Sequence, residues 1–152
     1  MDKVESYKKL IPQLKSLIGN ETNLIANMAN ISSALHQNGN FLWTGFYFAE
    51  NQELVLGPFQ GPIACTRIGF GKGVCGTAWE LKKTIIVDNV HEFPGHIACS
   101  EKSNSEIVIP MFDGDKLIFL LDIDSENYAF FDEIDKKHLE EICDMILQQI
   151  KK

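Results

Sequence analysis

The sequence predicts an α+β domain, a mostly antiparallel central sheet with helices from both ends of the chain. Three observations carry that prediction. Apolar residues recur with helical spacing near both termini, they alternate or run together in short stretches through the middle, and turn-forming pairs separate those stretches. A chain of 152 residues suits one domain over 1–152, with no room for a second core.

The first helix is set by Val4, Tyr7, Leu10, Ile11, Leu14, Leu17 and Ile18, one apolar stripe, with Pro12 expected to kink or split it. Gly19-Asn20 ends it, and Asn20 is expected to cap a second helix reaching about His36, with Leu24, Ile25, Met28, Ile31 and Leu35 inward. After the Asn38-Gly39-Asn40 turn, Phe41–Ala49 reads as a strand, joined through Asn51-Gln52 to Leu54–Gly57. Ile63–Phe70 is expected as a third strand. Gly71-Lys72-Gly73 then leads into a short helix, Val74 to Leu81, and Thr84–Val87 is a short β-branched strand. From Asp88 to about Ser103 no periodicity survives. Irregular stretches of that length are uncommon in compact domains and are usually functional. A hairpin of Ser105–Phe112 and Lys116–Asp124 follows, and a last helix from near Asp132 aligns Leu139, Ile142, Cys143, Ile146, Leu147 and Ile150.

Composition narrows the function. Hydrophobic residues make up 45% and charged residues 23%, ordinary globular values, and the net charge is −7. An acidic chain without a basic block is a poor phosphate binder, so nucleic acid is not the expected partner. The apolar runs, Leu117–Leu121 among them, fall far short of the ~20 residues that span a bilayer, and the charged start MDKVESYKKL has no secretory h-region. A cytoplasmic protein is expected, in a compartment where thiols stay reduced.

Strand parity places Trp43, Gly45 and Tyr47 on one face, either as a pocket wall with a gap at Gly45 or as an aromatic core strand. The same parity puts Ile118, Leu120, Asp122 and Asp124 on one face of the last strand, opposite Leu117, Phe119, Leu121 and Ile123. Adjacent carboxylates at the end of an apolar strand need water, a metal or an ammonium group as compensation. If Phe112 pairs with Lys116, Glu106 stands opposite Asp122 and a third carboxyl joins them. Of four cysteines, Cys143 fits the core of the last helix, while Cys65, Cys75 and Cys99 lie within 34 positions of one another. Helix-dipole reasoning favours Cys75 as a thiolate. Cys99, three residues after His96 in the irregular stretch, is the other reactive candidate. The Cys/His spacing lacks the close pairs of a structural zinc site, and GFGKG lacks the Lys-Ser/Thr ending of a phosphate loop.

Six blocks, GPFQG (57–61), IAC (63–65), GKGVCGTA (71–78), GHIAC (95–99), SNSEIV (103–108) and LDIDS (121–125), occur in this order. Together they resemble the free methionine-R-sulfoxide reductases, a family built on the GAF domain, from the second helix to the last. The resemblance implies a GAF-like fold and reduction of free L-methionine (R)-sulfoxide to methionine. It implies Cys99 as nucleophile, Cys65 as resolving partner and Cys75 as an auxiliary cysteine, against the helix-dipole reading. It also implies a substrate pocket of Trp43, Tyr47, Glu106, Asp122 and Asp124, thioredoxin as reductant, and no metal or organic cofactor. A homodimer is compatible with it. The family usually carries a glycine where this chain has Phe119. That side chain faces away from the aspartates and is expected to alter packing, not the pocket.

Overall fold

The computed structural model describes residues 2–97 and 99–152. Helices α1 (Lys3–Gly19) and α2 (Leu24–Gly39) lead into strands β1 (Trp43–Glu50), β2 (Glu53–Gln60) and β3 (Arg67–Gly69). Helix α3 (Gly73–Leu81), strand β4 (Ile85–Val87), the hairpin β5 (Ser105–Asp113) and β6 (Lys116–Ser125), and helix α4 (Glu133–Lys151) complete the chain. The strands form one sheet in the order β3-β2-β1-β6-β5-β4, antiparallel at every pairing. That is the α+β class the sequence predicts.

Pro12 does not break α1. Tyr7, Leu10, Ile11, Leu14 and Ile18 are all buried. At roughly 1.5–3 kcal/mol for each fully buried large side chain, they outweigh the ~3 kcal/mol that an interior proline costs. Lys8, whose carbonyl loses its partner to the proline, lies on the exposed side. Leu17 and Ile25, expected inward, are exposed, and Val4 is only partly covered. The cap of α2 is Asn23, which accepts from the Ala26 amide at 2.9 Å, and Asn20 is instead the C-cap of α1. The chain needs residues 20–23 to reverse direction between the helices. At the other end, Asp132 caps α4 in a capping box with Asp135, and Lys3 pairs with both acids.

Two layers cover the sheet. Helices α1, α2 and α4 pack on one face over Phe46, Ile107, Ile109, Phe119, Leu121 and Ile123, with Cys143 in the same core. Helix α3 and the long connections cover the other face, over Trp43, Tyr47, Val108 and Leu120. Phe119 sits in the three-helix core, edge-on to Phe46 and away from the acids.

Bulges correct the expected registers. Between Met111 and Phe112 the pairing slips, leaving Ile118 as the extra residue of β6, and the turn pairs Asp113 with Lys116. Glu106 therefore faces Asp124, and Val108 faces Asp122. The two slips sum to two positions, so the face of Glu106 is kept although its partner changes. The same bulge turns Leu117 onto the α3 side and Ile118 toward the three helices, the reverse of simple alternation. In β2, the expected end at Gly57 is passed because a second irregularity accommodates Pro58 and lets pairing run on to Gln60. The third strand is shorter than expected. Only Arg67–Gly69 pairs with β2, and residues 61–66 fold over the sheet as a loop.

Candidate active site

The site lies on the α3 face, where the adjacent strands β1, β6 and β5 present Trp43 and Tyr47, Asp122 and Asp124, and Glu106. Gly45 decides the aromatic wall. A Cβ there would stand 2.5 Å from the Trp43 ring and 2.4 Å from Phe59. With hydrogen in its place, the Trp43 ring folds over the strand and stacks on Phe59, at 5.3 Å between centroids, and on Tyr47, at 6.0 Å. The gap expected at Gly45 is thus filled by the indole itself. The two polar handles hold the 61–66 loop: Trp43 Nε1–H donates to the Pro62 carbonyl at 3.0 Å, and the Tyr47 hydroxyl to the Cys65 carbonyl at 2.8 Å. The second bond satisfies a carbonyl that a strand at Ile63–Phe70 would have used in a ladder.

Cys65 is tied by a disulfide to Cys99 of the long connection, with 5.5 Å between their Cα atoms. Both cysteines are half-buried. His96 borders the same pocket as Cys99, and burial followed by the neighbouring His91 lowers its pKa, favouring a neutral ring.

Beneath lies the acid cluster. Glu106 and Asp122 are each 6% exposed, and Asp124 is partly buried. The Ser103 hydroxyl donates to Asp124 Oδ1 at 2.9 Å, whereas Asp122 Oδ1 is buried with no partner among the described residues. Burial, then Asp122 and Asp124, pushes the Glu106 carboxyl well above its usual range. Burial, then Asp122, does the same to Asp124 against the Ser103 hydrogen bond, and burial raises Asp122. Three carboxyls this close in a poorly solvated place disfavour one another's ionisation, which favours the proton-bearing form of the cluster.

Cys75, in the first turn of α3, is buried, with its thiol directed at Glu106 Oε2, 3.9 Å away. Burial, followed by Asp122, Glu106 and Asp124, raises its pKa well above that of a free thiol. This overturns the helix-dipole expectation of a thiolate, because three adjacent acids and the loss of water outweigh one helix terminus. Cys75 Sγ and one oxygen each of Glu106 and Asp122 all lie within 4.8 Å of one another, a donor set able to hold a metal ion.

A GAF-domain family model matches residues 27–148. The free methionine-R-sulfoxide reductase of Escherichia coli is 43% identical over 143 residues, covering 93% of this chain and 87% of that protein. The free methionine-R-sulfoxide reductase of Saccharomyces cerevisiae is 41% identical over 155 residues, covering 96% and 86%. The X-ray structure of free methionine-R-sulfoxide reductase from Neisseria meningitidis, in complex with its substrate, superposes with a TM-score of 0.97 at 44% identity over 99% of this chain and 92% of that one. The chain belongs to the GAF-domain family of free methionine-R-sulfoxide reductases.

Within this reductase family member, seven of the eight residues singled out from sequence line one pocket, namely Cys99, Trp43, Tyr47, Cys75, Glu106, Asp122 and Asp124, and Cys65 is tied to it through its disulfide to Cys99. Cys143 lies on the opposite face. Sequence reasoning missed Ser103 as the partner of Asp124 and Phe59 as the support of Trp43. Both fall within quoted blocks, SNSEIV and GPFQG, but nothing local marks a hydroxyl for a carboxylate 21 positions away.

Proposed function

We propose that this chain reduces free L-methionine (R)-sulfoxide to L-methionine by thiol chemistry, with the whole chain acting as one domain. The observation that carries the reading is the Cys65–Cys99 disulfide, whose Cys99 lines a pocket that holds buried carboxyls beside an aromatic pair. The names of the relatives point the same way.

In the reduced enzyme, the Cys99 thiolate attacks the sulfoxide sulfur while Trp43 and Tyr47 hold the methyl end of the substrate. The oxygen is a poor leaving group unless it takes a proton as the S–O bond weakens. The cluster of Glu106, Asp122 and Asp124 supplies a neutral carboxyl for that transfer. Loss of that oxygen as water leaves Cys99 bonded to the substrate sulfur; a water then attacks the Cys99 sulfur, methionine leaves as the thioether, and Cys99 becomes a sulfenic acid. The Cys65 thiol displaces water from it, giving the disulfide, so two thiols are oxidised for each sulfoxide reduced and the oxygen departs as water. A thioredoxin-type dithiol of the cytoplasm then restores both thiols by exchange. No metal or organic cofactor enters these steps. Cys75 stays a protonated auxiliary group against Glu106.

Single turnover without reductant tests this. Cys99→Ser is expected to release no methionine, and Cys65→Ser about one per enzyme, because only the nucleophile serves the first half-reaction. A Cys99→Ser enzyme with wild-type kcat refutes the assignment.

A further inference from the structure

We propose that Cys75, Glu106 and Asp122 form a binding site for a thiophilic divalent cation of the zinc class. The donors come from three elements, α3, β5 and β6, and meet within 4.8 Å in a buried place. Zinc bonds of about 2.3 Å to sulfur and about 2.1 Å to oxygen, at a tetrahedral angle, put those two donors about 3.6 Å apart. Cys75 Sγ and Glu106 Oε2 stand at 3.9 Å, so a contraction of a few tenths of an ångström closes the pair on an ion.

The independent observation is Asp122 Oδ1, buried and without a hydrogen-bond partner in a residue only 6% exposed. A buried carboxylate oxygen left unpaired is costly, and a cation supplies what it lacks. The pocket has a volume of about 50 Å³. All three donors line that pocket, and at about 10–15 Å³ for the smallest water-holding space the pocket as a whole has room for a water as fourth ligand. One sulfur and two carboxylates are too few and too soft a set for magnesium or calcium, which take six or more oxygens. On binding, the ion displaces the Cys75 thiol proton, and the proton held by the carboxyls, to buffer. Positions 75, 106 and 122 are too far apart for any sequence motif to reveal the site. Occupancy would keep substrate from the acid cluster, so zinc would act as an inhibitor and not as a cofactor. That consequence rests on the reading of this pocket as the sulfoxide site, whereas the binding itself does not.

Cobalt(II) titration of the disulfide form tests the site, because Cys65 and Cys99 are then not thiols and only Cys75 and Cys143 remain. One equivalent bound, with a sulfur-to-cobalt charge-transfer band that zinc abolishes, is expected. The band should vanish in Cys75→Ser and persist in Cys143→Ala. Affinity should fall at least tenfold in Asp122→Asn, or in Glu106→Gln where the first variant fails to fold. Absence of the band, its survival in Cys75→Ser, or unchanged affinity in the carboxyl variants would mean an adventitious ion only and overturn the site. Turnover of the metal-free enzyme is read in parallel. Cobalt bound at Cys75 by a chain that reduces no sulfoxide upholds the metal site and refutes only the proposed reaction.

Discussion

Glu106, Asp122 and Asp124 place three acids where an apolar strand end would be more stable, and the cost of their burial has two measurable consequences. Burial is the largest cause of the raised pKa of each. An acid whose folded pKa lies above its unfolded value, about 4 for these side chains, takes up a proton on folding. Its contribution is fully present below about pH 4 and is lost as pH rises through the folded value. Glu106→Gln cannot ionise, so its stability relative to wild type should be higher at pH 8 than at pH 4, measured by urea unfolding. A variant that loses ground at pH 8 would mean that a charged Glu106 is stabilised in the fold. The second consequence concerns substrate. In the proposed reaction a free amino acid would bring an ammonium group to the orphaned Asp122 oxygen, and an acylated one would not. Removing the partner of a buried charge costs about 3–5 kcal/mol, and each 1.36 kcal/mol is tenfold in rate. N-acetyl-methionine sulfoxide should therefore show kcat/KM lower by at least about a hundredfold. Equal rates for the two compounds would refute the carboxylate clamp and leave the acids as proton donors.

At the scale of elements, α3 is the part whose position matters most to the site. It is nine residues long, and its Lys72 N-cap makes no side-chain capping bond, so packing must hold it. Gly76 permits that packing: a Cβ there would lie 2.5 Å from the Gly69 carbonyl oxygen of β3. Backbone on both sides cannot yield as a flexible side chain would. Gly76→Ala should cost about 1–3 kcal/mol, as overpacking does, and should also move Cys75 away from Glu106. Chemical denaturation gives the first effect. Faster alkylation of Cys75 in the native state gives the second, and an unchanged alkylation rate would mean that α3 has not shifted.

For the whole molecule, the Cys65–Cys99 bond joins two long connections across a separation of 34 residues. In the chain-entropy account, closing a loop of that size removes about 3–4 kcal/mol of denatured-state entropy. At about 2–4 °C per kcal/mol for a domain of this length, the oxidised form should melt roughly 10 °C above the reduced one. Thermal scans with and without dithiothreitol measure this. Coincident melting curves would mean that the bond strains the native loops as much as it restrains the unfolded chain.

Local sequence carried the strand parity that gathers Trp43, Tyr47, Glu106, Asp122 and Asp124 on one face, because side chains alternate wherever a strand is regular. It also carried the apolar stripes of α1 and α4, which helical periodicity marks without reference to the rest of the chain. Resemblance of the six blocks supplied the fold family and the choice of Cys99 over Cys75. Tertiary structure decided what depends on residues far apart in the chain. One bulge and the Asp113–Lys116 turn pairing shifted the register of Glu106, and the same bulge turned Leu117 to the other face, since pairing is set by the partner strand as well as by alternation. Burial against α2 and α4 kept α1 whole through Pro12. The raised pKa of Cys75 followed from burial and then from acids 31 and 47 positions away in β5 and β6, whose proximity exists only in the folded chain.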